Sequence, residues 1–351
     1  MPPASISRID ASVVCPYRCA ALPYLYVLVG LYLLVCTRHS SPSSLRVPLI
    51  SSRSPTPSIV LVFAGSDPSG GAGLQADLLT LAGLACHGLS VVTAITVQDT
   101  ARVTGVDAVD AGWVEDQARQ LLEDMRVDAF KIGLIGSVEN VSVIAEIVSD
   151  YPDIPLILDP VLAAGNGDEL ASGELIAAMR DLLIPQTTVL TPNSLEARRL
   201  VTRDPDGEAP SLEAAAEALL QMGAEYVLIT GTHENLAQVV NNLYGPLPAQ
   251  EPQDEESSES SAPDGMHRHA VGLVRSDAWT RLPGSYHGSG CTLASAIAAL
   301  IANGETVPDA VRAAQEYTWH ALKAGFRPGM GQFIPDRFFW ARQNPDGDAS
   351  A

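Results

Sequence analysis

Ile59-Val60-Leu61-Val62-Phe63-Ala64, then Gly65-Ser66-Asp67-Pro68-Ser69-Gly70-Gly71-Ala72-Gly73, then the amphipathic stretch Leu74 to Leu84, form the segment whose reading decides the fold. A short apolar β-type run, a glycine-rich turn and a helix-period pattern make up the strand, loop and helix of an α/β unit. The alternation repeats along the chain. Further strands are predicted at Ser90 to Val97, Ala129 to Ile132, Pro155 to Leu158, Thr188 to Leu190, Tyr226 to Thr230 and Gln238 to Tyr244. Helices are predicted at Trp113 to Met125, Val138 to Ser149, Ser172 to Leu183, Ser194 to Val201, Leu212 to Met222, Gly290 to Ala302 and Pro308 to Ala324. Strands alternating with helices in this way predict a mostly parallel sheet covered on both faces. Ligands of such folds gather at the carboxyl ends of the strands.

A second glycine-rich run, Gly284-Ser285-Tyr286-His287-Gly288-Ser289-Gly290-Cys291-Thr292, precedes the apolar, Ala-rich stretch Leu293 to Ala302. A turn of this kind feeding a helix aims several backbone N–H groups at one spot under the positive end of the helix dipole, where anionic oxygens are held. It also brings Cys291 there, with its thiolate expected to be favoured and available as a base or acceptor. The bland alternative is a structural helix start with a small buried cysteine. The first loop, Gly65 to Gly73, lacks the Gly-Lys-Ser/Thr ending of a P-loop, and its glycines do not have the dinucleotide spacing, so neither common phosphate fingerprint applies. Asp77, one turn into the following helix, either faces the same pocket or merely offsets the helix dipole.

The chain has 351 residues, 46% of them hydrophobic, which suits one large domain plus extensions or two modest domains. Its formal charge of −20, with Lys131 and Lys323 the only lysines, argues against nucleic acid and anionic membrane surfaces as partners. An anionic substrate must then be held by helix N-termini, a few arginines or a metal ion. Cys15, Cys19 and Cys36 lie near the N-terminus and Cys86 and Cys291 in the body, with no spacing that suggests a zinc site or a disulfide framework, so a reducing compartment is expected. Residues 1–57 differ from the rest and contain an apolar run, Cys19 to Cys36, of 18 residues followed by a Ser/Pro/Arg-rich stretch. Three readings compete for it: a mis-assigned start, a membrane anchor or a cleaved targeting segment. Residues 250–265, acidic and rich in Ser and Pro, are expected to be a disordered insertion in a domain spanning 58–342, with a disordered tail at 343–351.

Six ordered blocks now stand together: Ala64 to Asp77, Thr96-Val97-Gln98-Asp99-Thr100, Lys131-Ile132-Gly133-Leu134, Leu158-Asp159-Pro160-Val161, Thr191-Pro192-Asn193-Ser194-Leu195-Glu196 and His287-Gly288-Ser289-Gly290-Cys291-Thr292. Over about residues 59–340 the chain resembles the hydroxymethylpyrimidine/phosphomethylpyrimidine kinases of thiamine biosynthesis, members of the ribokinase-like superfamily. The resemblance implies a three-layer α/β/α fold with a mostly parallel central sheet. It also implies that Gly65 and Asp77 line a pyrimidine pocket, that Gln98 hydrogen-bonds the aminopyrimidine, and that Leu134 and Val161 give apolar walls. Planar recognition by an amide suits a ring that offers nitrogen acceptors beside an exocyclic amine.

For the nucleotide side, the resemblance implies that Asn193 and Glu196 position magnesium near the ATP phosphates, with Asp159 in the same network. Gly231 and Thr232 become nucleotide neighbours. Gly288, Ser289 and Gly290 supply the anion hole, and Cys291 accepts or relays the proton of the alcohol. Thr230-Gly231-Thr232-His233 stands where relatives often carry Lys-Gly-Gly-His, and Ala164-Gly165-Asn166-Gly167 where they often carry Ala-Lys-Ser-Gly, so charge neutralisation is expected to fall on magnesium and on the Gly288 to Cys291 amides.

The activity expected is transfer of phosphoryl groups from ATP to 4-amino-5-hydroxymethyl-2-methylpyrimidine and then to its monophosphate. The rivals are a pyridoxal or pyridoxine kinase of the same fold and a non-catalytic pyrimidine-binding regulator. A cytoplasmic enzyme, free or as a homodimer, follows from this reading, with a membrane as partner only if residues 19–36 are a real span.

Overall fold

The computed structural model describes residues 56–164, 167, 169–202, 208–234, 236–247 and 270–342. The apolar run 19–36, the acidic insertion 250–265, the tail 343–351 and part of the Ala164 to Gly167 turn lie outside the described residues. The elements run β1 (Ile59–Ser66), α1 (Gly73–Gly83), β2 (His87–Gln98), β3 (Val103–Ala108), α2 (Ala111–Asp124), β4 (Ala129–Ile132), α3 (Val138–Ser149), β5 (Leu156–Leu158), α4 (Gly173–Ala178), β6 (Val189–Leu190), α5 (Ser194–Val201), α6 (Leu212–Gln221), β7 (Tyr226–Ile229), β8 (Gln238–Pro246), β9 (Val271–Thr280), α7 (Ser289–Ala302) and α8 (Val307–Lys323).

The strands form one sheet in the order β3-β2-β1-β4-β5-β6-β7-β8-β9. From β2 through β1, β4, β5 and β6 to β7 every pairing is parallel, whereas β3, β8 and β9 join antiparallel at the two ends. Strand β1 shows why the sheet needs a layer on each side. Val60, Val62 and Ala64 enter a core shared with Leu293, Ile297 and Val311 from α7 and α8, while Leu61 and Phe63 enter one shared with Val141, Ile144, Leu200 and Leu219 from α3, α5 and α6. A two-residue period in a strand buried on both faces produces this division. The result is the three-layer α/β/α arrangement.

Helix α7 is buried along most of its length, and its alanines let it lie close to the sheet between α1 and α8. The predicted helix Ser172 to Leu183 is α-helical only to Ala178. It then widens into a π-turn, Met179–Leu183, and tightens into a 3-10 turn, Ile184–Gln186, where Pro185 has no N–H to continue the ladder. Strands β3 and β9 have no counterpart among the predicted strands. Both are edge strands whose side chains are mostly exposed or half-buried, so burial imposes little apolar pattern on them. Among the described residues no helix is long and apolar enough to cross a membrane.

Candidate active site

The carboxyl ends of β1, β4, β5, β6 and β7 open into one cleft of about 710 Å³. Gly65, Gln98, Leu134 and Val161, the residues that the resemblance assigns to the pyrimidine, line it together. Gly65 is needed for this wall, because a Cβ there would stand 2.9 Å from the Leu134 side chain. Gln98 donates to Thr96 Oγ1 at 2.7 Å, and Thr96 Oγ1 donates to the Ser66 carbonyl at 2.8 Å, which fixes the amide plane and leaves its oxygen as an acceptor.

Asp77 departs from expectation. Its carboxylate is fully buried, is absent from the cleft wall, and accepts from Lys131 Nζ at 3.0 Å on both oxygens and from Ser295 Oγ at 2.7 Å. A buried ammonium needs an opposite charge and satisfied hydrogen bonds, and Asp77 is consumed in that role. Lys131 takes the place on the cleft wall. Burial works against its charge, but the Asp77 carboxylate, with Asp159 nearby, outweighs that and holds its pKa above the usual lysine range.

The phosphate end is built by α7. Its N-cap, Gly288, has φ +79°, and a Cβ there would overlap the Gly71 carbonyl oxygen, so only glycine brings the two glycine loops together. No side chain caps the helix, and Gly288, Ser289, Gly290 and Cys291 all line the cleft. The loops are also joined by His287 Nε2, 2.8 Å from Asp67 Oδ2. That carboxylate accepts from the Ser69 and Ala72 amides as well, and although burial works against its charge, these hydrogen bonds hold it below the usual carboxylate range.

Cys291 does not carry the favoured thiolate that its position at a helix start suggests. Loss of water around the thiol, with Asp77 and Asp159 nearby, pushes its pKa up to about 12 against the opposing pull of Lys131. In a recessed site desolvation outweighs the helix dipole, so the resting group is a neutral thiol.

Asp159, just past the end of β5, and Glu196, in α5, face the cleft. Burial, and then Asp77, raise Asp159 to about 6 against the opposing pull of Lys131, while loss of water and the Asp159 charge raise Glu196 to about 8. Glu196 closes a capping box: Asn193 Oδ1 accepts from the Glu196 amide at 2.9 Å, and Glu196 Oε2 accepts from the Asn193 amide at 2.9 Å. Asn193 thus caps the helix while lining the cleft. Gly231 does not line it. Its N–H donates to Asn241 Oδ1 at 3.0 Å and its Cα packs on Val240, whereas the neighbouring Thr230 and Thr232 do face the cleft.

Two neighbouring carboxylates raised by desolvation and by nearby negative charge suit a divalent cation, and magnesium in particular is held by one or two carboxylates with its remaining positions on water and phosphate. Among the described residues no cluster of three or more His, Cys, Asp or Glu forms a closed metal site.

Several cleft residues carried no site reading in the sequence. Lys131 lay in a quoted block, and its isolation as one of two lysines was the available signal. Trp279 and Trp319, with ring centroids 6.3 Å apart, wall the end beyond Thr232 and had no motif to mark them.

The phosphomethylpyrimidine kinase family model matches residues 67–336. Hydroxymethylpyrimidine/phosphomethylpyrimidine kinase from Streptomyces coelicolor is 38% identical over 280 residues, which cover 79% of this chain and 93% of that protein. Phosphomethylpyrimidine kinase from Clostridium difficile superposes with a TM-score of 0.57 at 29% identity, covering 74% of this chain and 97% of the other. Pyridoxal kinase from Staphylococcus aureus in complex with AMP-PCP and pyridoxal gives a TM-score of 0.65 at 26% identity, covering 82% and 96%. With a family model spanning both glycine loops and the Asp159–Glu196 couple, and a relative of this identity and coverage, the chain belongs to the phosphomethylpyrimidine kinase family.

Proposed function

We propose that the protein transfers the terminal phosphoryl group of ATP to the hydroxymethyl oxygen of 4-amino-5-hydroxymethyl-2-methylpyrimidine, and then phosphorylates the monophosphate to the diphosphate. The observation that carries this is the meeting, in one cleft, of an uncapped α7 N-terminus with a wall of Gly65, Gln98, Leu134 and Val161. The first suits a phosphoryl group and the second a flat aminopyrimidine. Phosphoryl transfer asks little covalent chemistry of the protein, so catalysis rests on placing donor and acceptor in line and on meeting the charge of the moving group.

Gln98 orients the ring, and Leu134 and Val161 hold it against slippage. The amides of Ser289, Gly290 and Cys291 meet the charge on the transferred phosphoryl oxygens, each such donor contributing about 3 kcal/mol at comparable oxyanion sites. Asp159 and Glu196 are the residues that hold magnesium, which when bound neutralises charge on the polyphosphate. Thr232, at the end of β7, borders the nucleotide. Cys291, as a neutral thiol, orients the alcohol and relays its proton, passing its own S–H proton to an oxygen of the transferred phosphoryl group as it receives the one from the alcohol. Cys291 and the Asp159–Glu196 couple favour an enzyme over a pyrimidine-binding regulator.

The test is the full chain with ATP, magnesium chloride and the pyrimidine alcohol, following monophosphate, diphosphate and ADP. Formation of both phosphorylated pyrimidines is expected, with kcat/KM well above that for pyridoxal. Faster turnover of pyridoxal would make the protein a vitamer kinase, and binding of the pyrimidine without ADP release would make it a regulator.

A further inference from the structure

Two buried residues with permanently charged side chains serve the site, and they are satisfied differently. Lys131 is neutralised by Asp77. Arg337, 3% exposed, has no carboxylate within ion-pair distance among the described residues. Its Nε donates to Thr292 Oγ1 at 3.1 Å and its Nη2 donates to the Gly71 carbonyl at 2.6 Å. Thr292 Oγ1 in turn donates to the Gly288 carbonyl at 2.8 Å.

The guanidinium therefore spans the seam between the first glycine loop and the first turn of α7, and it is not part of the cleft wall. Its own backbone is pinned, because Tyr317 Oη donates to the Arg337 carbonyl at 2.7 Å and the Asp336 amide donates to Ala321 on α8. Taking a cation out of water with only neutral hydrogen-bond partners is costly; Asp77 and Asp67 offset part of that cost from beyond contact, and an anion bound at the α7 start would offset more.

We propose that Arg337 is a positioning residue of the phosphoryl cradle: it clamps the α7 first turn to the first glycine loop and sets a positive charge, in no direct ion pair among the described residues, close to the amides that meet the transferred group. This rests on the phosphoryl-transfer reading given above. In a site closed to water a charge at this remove still favours the anionic transition state. It acts through Thr292 and the α7 amides, not by touching substrate.

Full-length Arg337→Met and Arg337→Lys chains are compared with the parent for kcat, for the KM of ATP and of the pyrimidine alcohol, and for thermal midpoint. Arg337→Met is expected to lower kcat at least about tenfold while both KM values stay within about threefold, and Arg337→Lys to recover most of the loss. A smaller fall in kcat for Arg337→Met, or an Arg337→Lys chain as slow as Arg337→Met, overturns the charge role. Should Arg337→Met not fold, Thr292→Val cuts the Nε contact with the guanidinium still in place. An unchanged kcat in that variant also overturns the proposal. A parent chain that does not phosphorylate the pyrimidine fails the proposed function itself, a result separable from all of these.

Discussion

Asp77 and the Asp159–Glu196 couple lie near the same lysine and use charge in opposite ways. Asp77 is complete: both oxygens meet Lys131 at 3.0 Å, Ser295 adds a third contact, and nothing of it reaches the cleft. The Asp159 carboxylate has no hydrogen bond among the described residues, faces the cleft, and helps to raise Glu196. The first arrangement belongs to the core and the second to a ligand. Burial alone does not distinguish them, since Asp77 and Asp159 are both buried. What separates them is whether the opposite charge is in hydrogen-bonded contact: Lys131 bonds both Asp77 oxygens, while it and Arg199 act on Asp159 and Glu196 only from a distance, and the pair without that contact is the one that points to function.

The largest effect is expected from breaking the complete pair. Lys131→Met leaves the Asp77 carboxylate in the interior with only Ser295 as partner, and removing one member of a buried ion pair costs about 3 to 5 kcal/mol. Denaturant unfolding of the variant is expected to show a loss of that order at pH 7. A loss below about 1 kcal/mol would mean that Lys131 is not needed to keep Asp77 in the interior, and the two sites would not differ in the way described.

That contrast also explains what was legible in the sequence. The fold could be read because parallel strands buried on both faces, such as β1 and β4, are continuous apolar runs between helix-period segments. Strands β3 and β9 escaped because an edge strand facing solvent carries no such constraint. The glycine loops were legible at the site because their close approach admits no side chain at Gly288. The partner of each charge was not. Asp77 and Lys131 are 54 residues apart, and His287 and Asp67 are 220 apart, so only the folded chain decides that Asp77 is spent inside and Asp159 is not. The thiolate expected at Cys291 failed for a related reason, since a helix start is visible in sequence and the loss of water around a thiol is not.

A smaller effect tests the unmet pair. Asp159 is raised from 3.8 to about 6 and Glu196 from 4.5 to about 8, so over these windows the folded chain keeps protons that the unfolded chain has released. Their contribution to stability is therefore lost as pH rises through those windows. Magnesium competes with these protons for the ionised carboxylates. The gain in thermal midpoint on adding magnesium chloride should accordingly grow between pH 6 and pH 8, where Glu196 loses its proton. A gain that is flat with pH, or equal in an Asp159→Asn, Glu196→Gln double variant, would show that the cation binds elsewhere.

The smallest effect concerns the group between the two arrangements. Cys291 feels Lys131 in one direction and both Asp77 and Asp159 in the other, and desolvation leaves it a neutral thiol with a pKa of about 12. A thiol of that kind orients an alcohol by a weak hydrogen bond, and a loose transition state leaves the proton on the attacking oxygen until late, so little base strength is called for. Cys291→Ala is then expected to lower kcat about tenfold, or about 1.4 kcal/mol, with no inflection attributable to the thiol between pH 7 and 10 in the parent profile. A loss beyond about a thousandfold would instead make the sulfur a true base, ionised by the arriving substrates, and would place the reaction's proton chemistry on the side of the cleft where the protein already balances its own charges.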